Sequence, residues 1–141
     1  MEATLDTHAT TSIPAVPSRP RLWTGRVLSA LAVLSLTFDA TMKIARNPFV
    51  VEATAKIGFP DGSIQPIGLV LLACVVLYVI PRTAIVGAVL LTGYLGGAVA
   101  THVRLGDPLL SHTLFPLYFG VLLWGGLFLR DPRVRAIVPW A

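Results

Sequence analysis

Four continuous apolar runs constrain this chain more than any other feature. They span about Leu22 to Ala45, Ile64 to Ile80, Thr83 to Val103 and about Leu110 to Leu129, which is 17 to 24 residues each. A hydrocarbon core of about 30 Å takes about 20 helical residues, and fewer where the bilayer thins locally. The runs do not alternate apolar and polar residues, so they do not read as barrel strands. The expected class is all-α, an integral membrane four-helix bundle.

Composition agrees with that reading. Of 141 residues, 55% are hydrophobic and only 13% charged, about half the charged share of a soluble domain. The mean hydropathy is +0.76. A soluble chain this short has no interior large enough for so much apolar surface. Expected boundaries are residues 1–21 as a disordered cytoplasmic tail, 22–132 as the transmembrane domain, and 133–141 as a short basic cytoplasmic C-terminus. The tail carries Glu2 and Asp6 where a signal peptide needs basic residues, and it has no apolar centre.

Between the first two spans lies a short amphipathic segment, expected to form an interfacial helix. Asn47 is placed to cap it, Pro48 suits its first turn, and Gly58 and Pro60 stop it. Val50, Ala53, Thr54 and Ile57 share one face, while Glu52 and Lys56 pair at i, i+4 on another.

The net charge of +4 does not indicate nucleic acid, because the basic residues flank apolar spans. With the N-terminus inside, one side of the membrane carries Arg19, Arg21, Arg26, Arg82, Arg130, Arg133 and Arg135. The other carries Lys43, Arg46, Lys56 and Arg104. Seven against four favours both termini in the cytoplasm; the expected location is a cell inner membrane. Membrane lipids are therefore expected partners. Gly93, Gly96, Gly97 and Ala100 in the third span, with Gly125 and Gly126 in the fourth, offer close helix contact. Those glycine faces would suit a homo-oligomer or a membrane or periplasmic partner protein.

On this topology the unusual polar residues meet at the outer end. Asp39 and Lys43 lie in the first span, Gln65 starts the second, His102 and Arg104 close the third, and His112 opens the fourth. An ionisable group at mid-span costs roughly 2.5–3.5 kcal/mol by insertion scales, so such groups face a bundle interior or a wet cavity. Asp39 and Lys43, four apart, share a face with Ser35. They serve either as a self-paired bridge or as part of a ligand or proton site. His102 and His112 are brought towards each other by a turn through Gly106, Asp107 and Pro108, but their spacing fits no compact metal motif. Tyr94, Tyr118 and Trp124 lie deeper, with Tyr94 and Thr101 on one face. They are either core or the lining of a flat pocket for a quinone or lipid-like ring. The lone Cys74 excludes an intrachain disulfide and a thiolate metal cage. No nucleophile elbow, Walker loop, dinucleotide fingerprint or HExxH motif is present.

The run Thr92-Gly93-Tyr94-Leu95-Gly96-Gly97-Ala98-Val99-Ala100-Thr101-His102-Val103-Arg104 resembles DoxX-like membrane proteins. So do Gly106-Asp107-Pro108, His112, Phe115-Pro116 into Tyr118-Phe119-Gly120, Gly25-Arg26-Val27-Leu28, and Asp39 to Lys43. The resemblance covers roughly Leu22 to Pro132. It implies a four-helix membrane bundle, and it associates the chain with quinone-linked oxidation and redox-stress membrane complexes. Thiol relay chemistry does not carry over, since Cys74 stands alone. The resulting expectation is an outer-side polar pocket for a small hydrophobic molecule, with a quinone as the cofactor the resemblance suggests. Asp39 and His102 are its expected proton-handling, catalytic groups. Lys43, Gln65, Tyr94, Arg104, His112 and Tyr118 are its expected ligand contacts, Arg104 as the anion contact, and no metal is expected. Two other classes stay open: a non-catalytic membrane subunit of a redox-stress complex, and a lipid-type isomerase using His102 and Asp39 as an acid–base pair.

Overall fold

A computed structural model describes residues 19–137. Its helices are α1 (Arg19–Ile44), α2 (Pro48–Lys56), α3 (Ile64–Val79), α4 (Ala84–Leu105), α5 (Phe115–Arg130) and α6 (Pro132–Ile137). A 3₁₀ turn, Asp61–Ser63, leads into α3, and a π turn, Leu109–Thr113, precedes α5. No strand occurs among the described residues. Among the described residues, four segments are long and apolar enough to cross a membrane: Arg19–Ile44, Asp61–Val79, Ala84–Leu105 and Leu109–Arg130. At 1.5 Å per residue even the shortest is about 28 Å long, close to one hydrocarbon core.

The expected spans are thus present, with two local differences. Helix α1 begins at Arg19, three residues inside the stretch read as a disordered tail. Pro20 explains this, because its fixed φ suits a first helical turn, where no partner is needed for the missing N–H. The remainder of that expected tail, residues 1–18, and the end of the basic C-terminus, residues 138–141, lie outside the described residues. The fourth span is not one regular helix. Pro116 has no N–H to donate and its ring would clash with the carbonyl of His112, so the α register does not run through it. The chain opens with the π turn instead and becomes regular at Phe115.

The four spanning helices form a ring in the order α1, α3, α4, α5, each packed on its two neighbours. Their interior is narrow and apolar. Ala32, Leu36 and Ala40 of α1 meet Leu71, Val75 and Tyr78 of α3, Ala88 and Leu91 of α4, and Leu123 and Leu127 of α5. Their outer faces carry exposed Leu69, Val86, Leu117 and Val121, as helices bathed in lipid require. Threonine hydroxyls on these faces donate back to their own helices, as Thr41 does to Thr37 O at 2.8 Å.

Helices α1 and α5 cross closest at Gly25 and Gly126. A Cβ at Gly126 would lie 2.9 Å from both Gly25 O and the Ser29 backbone nitrogen. Beside this crossing, the Tyr78 hydroxyl donates to Leu123 O at 2.8 Å and accepts from Ser29 Oγ at 2.9 Å. One fully buried phenol therefore bolts α1, α3 and α5 together, and the Arg130 guanidinium covers its ring at 5.1 Å. The glycines of α4 behave otherwise. Nothing lies within 4 Å of a Cβ added to Gly93, Gly96 or Gly97, so they do not serve packing inside the bundle.

The opposite end of the bundle is covered by α2. Asn47 Oδ1 accepts from Phe49 N, Pro48 starts the helix, and Glu52 bonds Lys56 at 2.7 Å, as the spacing implied. That bond holds the Glu52 carboxyl below its ordinary value. Gly58 turns the chain out of α2 with φ +85°. At the other end, Asp131 caps α6 by accepting from Arg133 N, and Arg133 also donates to Pro81 O in the α3–α4 turn.

Candidate functional site

Part of the polar set at the α2 end lines a cavity of about 970 Å³. Its walls come from α1 and α4, with the first turns of α5 at one side and the α2 segment above. Asp39 and Lys43 of α1 line it, as do Tyr94, Thr101 and His102 of α4. Most of the remaining wall is apolar: Leu34 and Phe38 of α1, Ile67 of α3, Phe115, Pro116 and Phe119 of α5, and Ile57 and Phe59 above.

Helical spacing explains each placement. Asp39 and Lys43 fall one turn apart on the face that continues from Ser35, which also lines the cavity. Their side chains bond each other, with the Lys43 side chain 17% exposed and the Asp39 side chain 42%. The ammonium is thus the more sheltered partner and the carboxylate the more exposed, and both residues line the cavity. Tyr94, Ala98 and Thr101 form one stripe of α4, and Gly93 and Gly97 beside them leave room by having no side chain.

His102 sits where α4 ends. Gly106 takes φ +71°, which closes the helix, and Asp107 N then donates back to His102 O at 3.1 Å. The reversal returns the Asp107 carboxylate to its own helix, 2.6 Å from His102 Nδ1. A carboxylate accepts from Nδ1–H, and in the neutral tautomer this selects, Nε2 carries the lone pair. Reading along the sequence placed Asp107 in the turn after His102 without naming it as that histidine's partner. Its signal is a histidine, then Gly-Asp four and five residues on, at a helix C-terminus.

The other expected contacts lie elsewhere. Gln65 Nε2 donates to Ile44 O at 3.1 Å and so caps the end of α1. Arg104 donates to Ile57 O at 2.9 Å and ties the end of α2 to α4. His112 bonds Ser111 Oγ through Nδ1 at 2.8 Å, and its ring stands edge-on to that of His102, centroids 6.2 Å apart. Tyr118 is exposed and donates to Leu110 O at 3.4 Å. Of the eight residues read from the sequence, Asp39, Lys43, Tyr94 and His102 come together on one cavity, while Gln65, Arg104, His112 and Tyr118 do not line it.

Among the described residues no three His, Cys, Asp or Glu side chains converge as metal ligands would. Trp124 donates to Thr92 Oγ1 at 2.8 Å and lines a second groove, of about 580 Å³, between α4 and α5. That groove has Ile85, Val89, Gly125 and Phe128 on its walls and no ionisable group among the described residues, so chemistry is better sought at the α2 end.

No curated protein and no solved structure shows significant similarity to this chain. A family model does match, over residues 27–126, a range that holds both walls of the cavity and all but the last few residues of the fourth span. This multi-pass membrane protein belongs to the DoxX-like family.

Proposed function

We propose that this protein binds a small hydrophobic molecule carrying carbonyl or hydroxyl groups, of the quinone class, and handles protons at that polar end. One observation carries the reading: a single cavity joins apolar walls to Asp39, Lys43, Tyr94 and His102. In this reading Tyr94 donates to a ligand carbonyl, and the Nε2 lone pair of His102, held in place by Asp107, takes a ligand hydroxyl proton. Asp39, ion-paired with Lys43, is the second proton acceptor. A quinone's ring would supply the redox chemistry, and this chain's residues would bind it and move its protons. The arginines at the start of α1 and end of α5 support an inner-membrane setting with both termini in the cytoplasm.

The test is to extract and identify by mass spectrometry what co-purifies with the protein, then to titrate it with decylubiquinone. His102→Ala and Tyr94→Phe are each expected to weaken binding roughly 5–10-fold, the worth of one hydrogen bond. Co-purification of bulk phospholipid alone, with decylubiquinone binding unchanged in both variants, would sink the reading.

A non-catalytic membrane subunit is the second reading, and bonding within the chain favours it. Asp39 and Lys43 satisfy each other, and Arg104 and Gln65 each satisfy a backbone carbonyl, with no ligand required. On that reading the open glycine face of α4 is where a partner protein or a second copy docks. It gains if purified protein carries a stoichiometric membrane partner and no small molecule.

A further inference from the structure

We infer that the cavity is filled from the side, out of the bilayer, by a membrane-dissolved amphiphile, and that water-borne molecules do not reach it. This rests on the cavity reading above and adds the route and the physical class of the ligand.

The end facing α2 is closed. Thr54, Ile57 and Phe59 line the cavity from above, and Thr54 is buried. The cover is strapped at two places. Arg104 of α4 holds Ile57 O at 2.9 Å, and Arg46, just after α1, is ion-paired with Asp61, just before α3. The α4–α5 connection is tied down as well. His102 holds Asp107, and buried Thr113 donates to Asp107 O at 3.2 Å. A solute arriving from water would have to break one of these ties.

The side is open. Three large apolar residues that line the cavity are also exposed on the outer surface: Leu34 at 67%, Phe38 at 66% and Phe115 at 54%. A residue with one side on a cavity and another on the lipid-facing surface marks a mouth. The mouth lies between the second half of α1 and the first turn of α5, far from the Gly25–Gly126 crossing that clamps the same two helices at their other end. From Leu34 to Lys43 the helix rises about 14 Å, so a ring placed against the ion pair leaves a tail emerging among lipid chains. The head that suits this site is uncharged, because Asp39 and Lys43 already cancel. A lone anionic or cationic head would face no net opposite charge from that pair.

The test places a nitroxide on the cavity wall and asks what collides with it. In a Cys74→Ala background, Ala98→Cys is spin-labelled and the protein is reconstituted in phosphatidylethanolamine–phosphatidylglycerol vesicles. Power saturation is measured with oxygen, which concentrates in the bilayer, and with a nickel–EDDA chelate, which stays in water. The expected result is an oxygen-to-nickel ratio at 98 that matches a label at lipid-facing Val121→Cys. Releasing the cover with Arg104→Ala should lower that ratio. A nickel-dominated signal in the Arg104 protein overturns the side route while leaving the cavity intact. A label reached by neither reagent overturns the cavity reading itself. Ser35→Cys, at the mouth, serves if Ala98→Cys does not accumulate, and the same three outcomes apply to it.

Discussion

His102 Nδ1 and the Asp107 carboxylate lie 2.6 Å apart across a helix end that Gly106 closes in the left-handed region. The pair holds the ring of His102, which lines the cavity, and leaves Nδ1 engaged with Asp107. An alanine at 106 must adopt φ near +71°, which costs roughly 1 kcal/mol or more. Gly106→Ala and Asp107→Ala should therefore both weaken decylubiquinone binding, as His102→Ala does, while the helical circular dichroism stays unchanged. Combining either with His102→Ala should add little further loss. Additive losses in the double variants would show that Asp107 does not act through His102.

The ion pair of α1 separates the two functional readings. Lys43→Ala leaves Asp39 on the cavity wall without its counter-charge. Mid-span penalties of roughly 2.5–3.5 kcal/mol soften towards a helix end, so about 2 kcal/mol of destabilisation is expected. The double change Asp39→Asn with Lys43→Gln removes both charges and should recover most of that stability. Under the cavity reading the double variant folds but loses ligand. Under the subunit reading it folds and still assembles with its partner. Thermal denaturation in detergent with parallel ligand titration distinguishes them.

An uncharged head is expected to be preferred. Decylubiquinone should bind at least tenfold more tightly than oleate at pH 8, because the Asp39–Lys43 pair presents no net charge to the carboxylate. Equal or stronger binding of oleate, measured by displacement, would point to Lys43 as an anion site instead.

Two glycines should respond in opposite ways to the same change. Gly126→Ala forces a methyl against Gly25 O and Ser29, and overpacking of this kind costs about 1–3 kcal/mol. Gly93→Ala meets nothing and gains up to about 1 kcal/mol of helix propensity. Melting temperatures of the two variants check this directly. Tyr78→Phe belongs with the first, at about 1–3 kcal/mol, since it strands buried Ser29 Oγ and removes a bond to α5.

Asp131 provides the pH dependence. The hydrogen bond from Arg133 holds its carboxyl below the ordinary value of 3.8. A group whose pKa is lowered by folding adds stability above its unfolded value, and that stability is lost as pH falls through the folded one. Stability should thus be flat near neutrality and fall only below about pH 4. Asp131→Asn should remove that part of the acid dependence and loosen the link from α6 to Pro81 at every pH.

Hydropathy by itself determined the four spans, because lipid demands continuous apolar helices and permits few alternatives. The cap, proline and glycine residues around Asn47 and Gly58 were equally local, so α2 could be placed from them within a residue. Asp39 and Lys43 were legible as a pair because i, i+4 spacing is a property of one helix. The site divided along the same line. Arg104, Gln65, His112 and Tyr118 sit at the right level in the chain, and level is all that a one-dimensional reading supplies. Which way each side chain turns depends on how the helices are rotated in the ring, and that is decided by contacts between distant residues: Gly25 on Gly126, and Tyr78 on Ser29 and Leu123. Those contacts clamp one end of the bundle, while α1, α4 and α5 leave a cavity at the other. Only the tertiary structure decided that Arg104 would strap the cover down and that His102 would face the space beneath it.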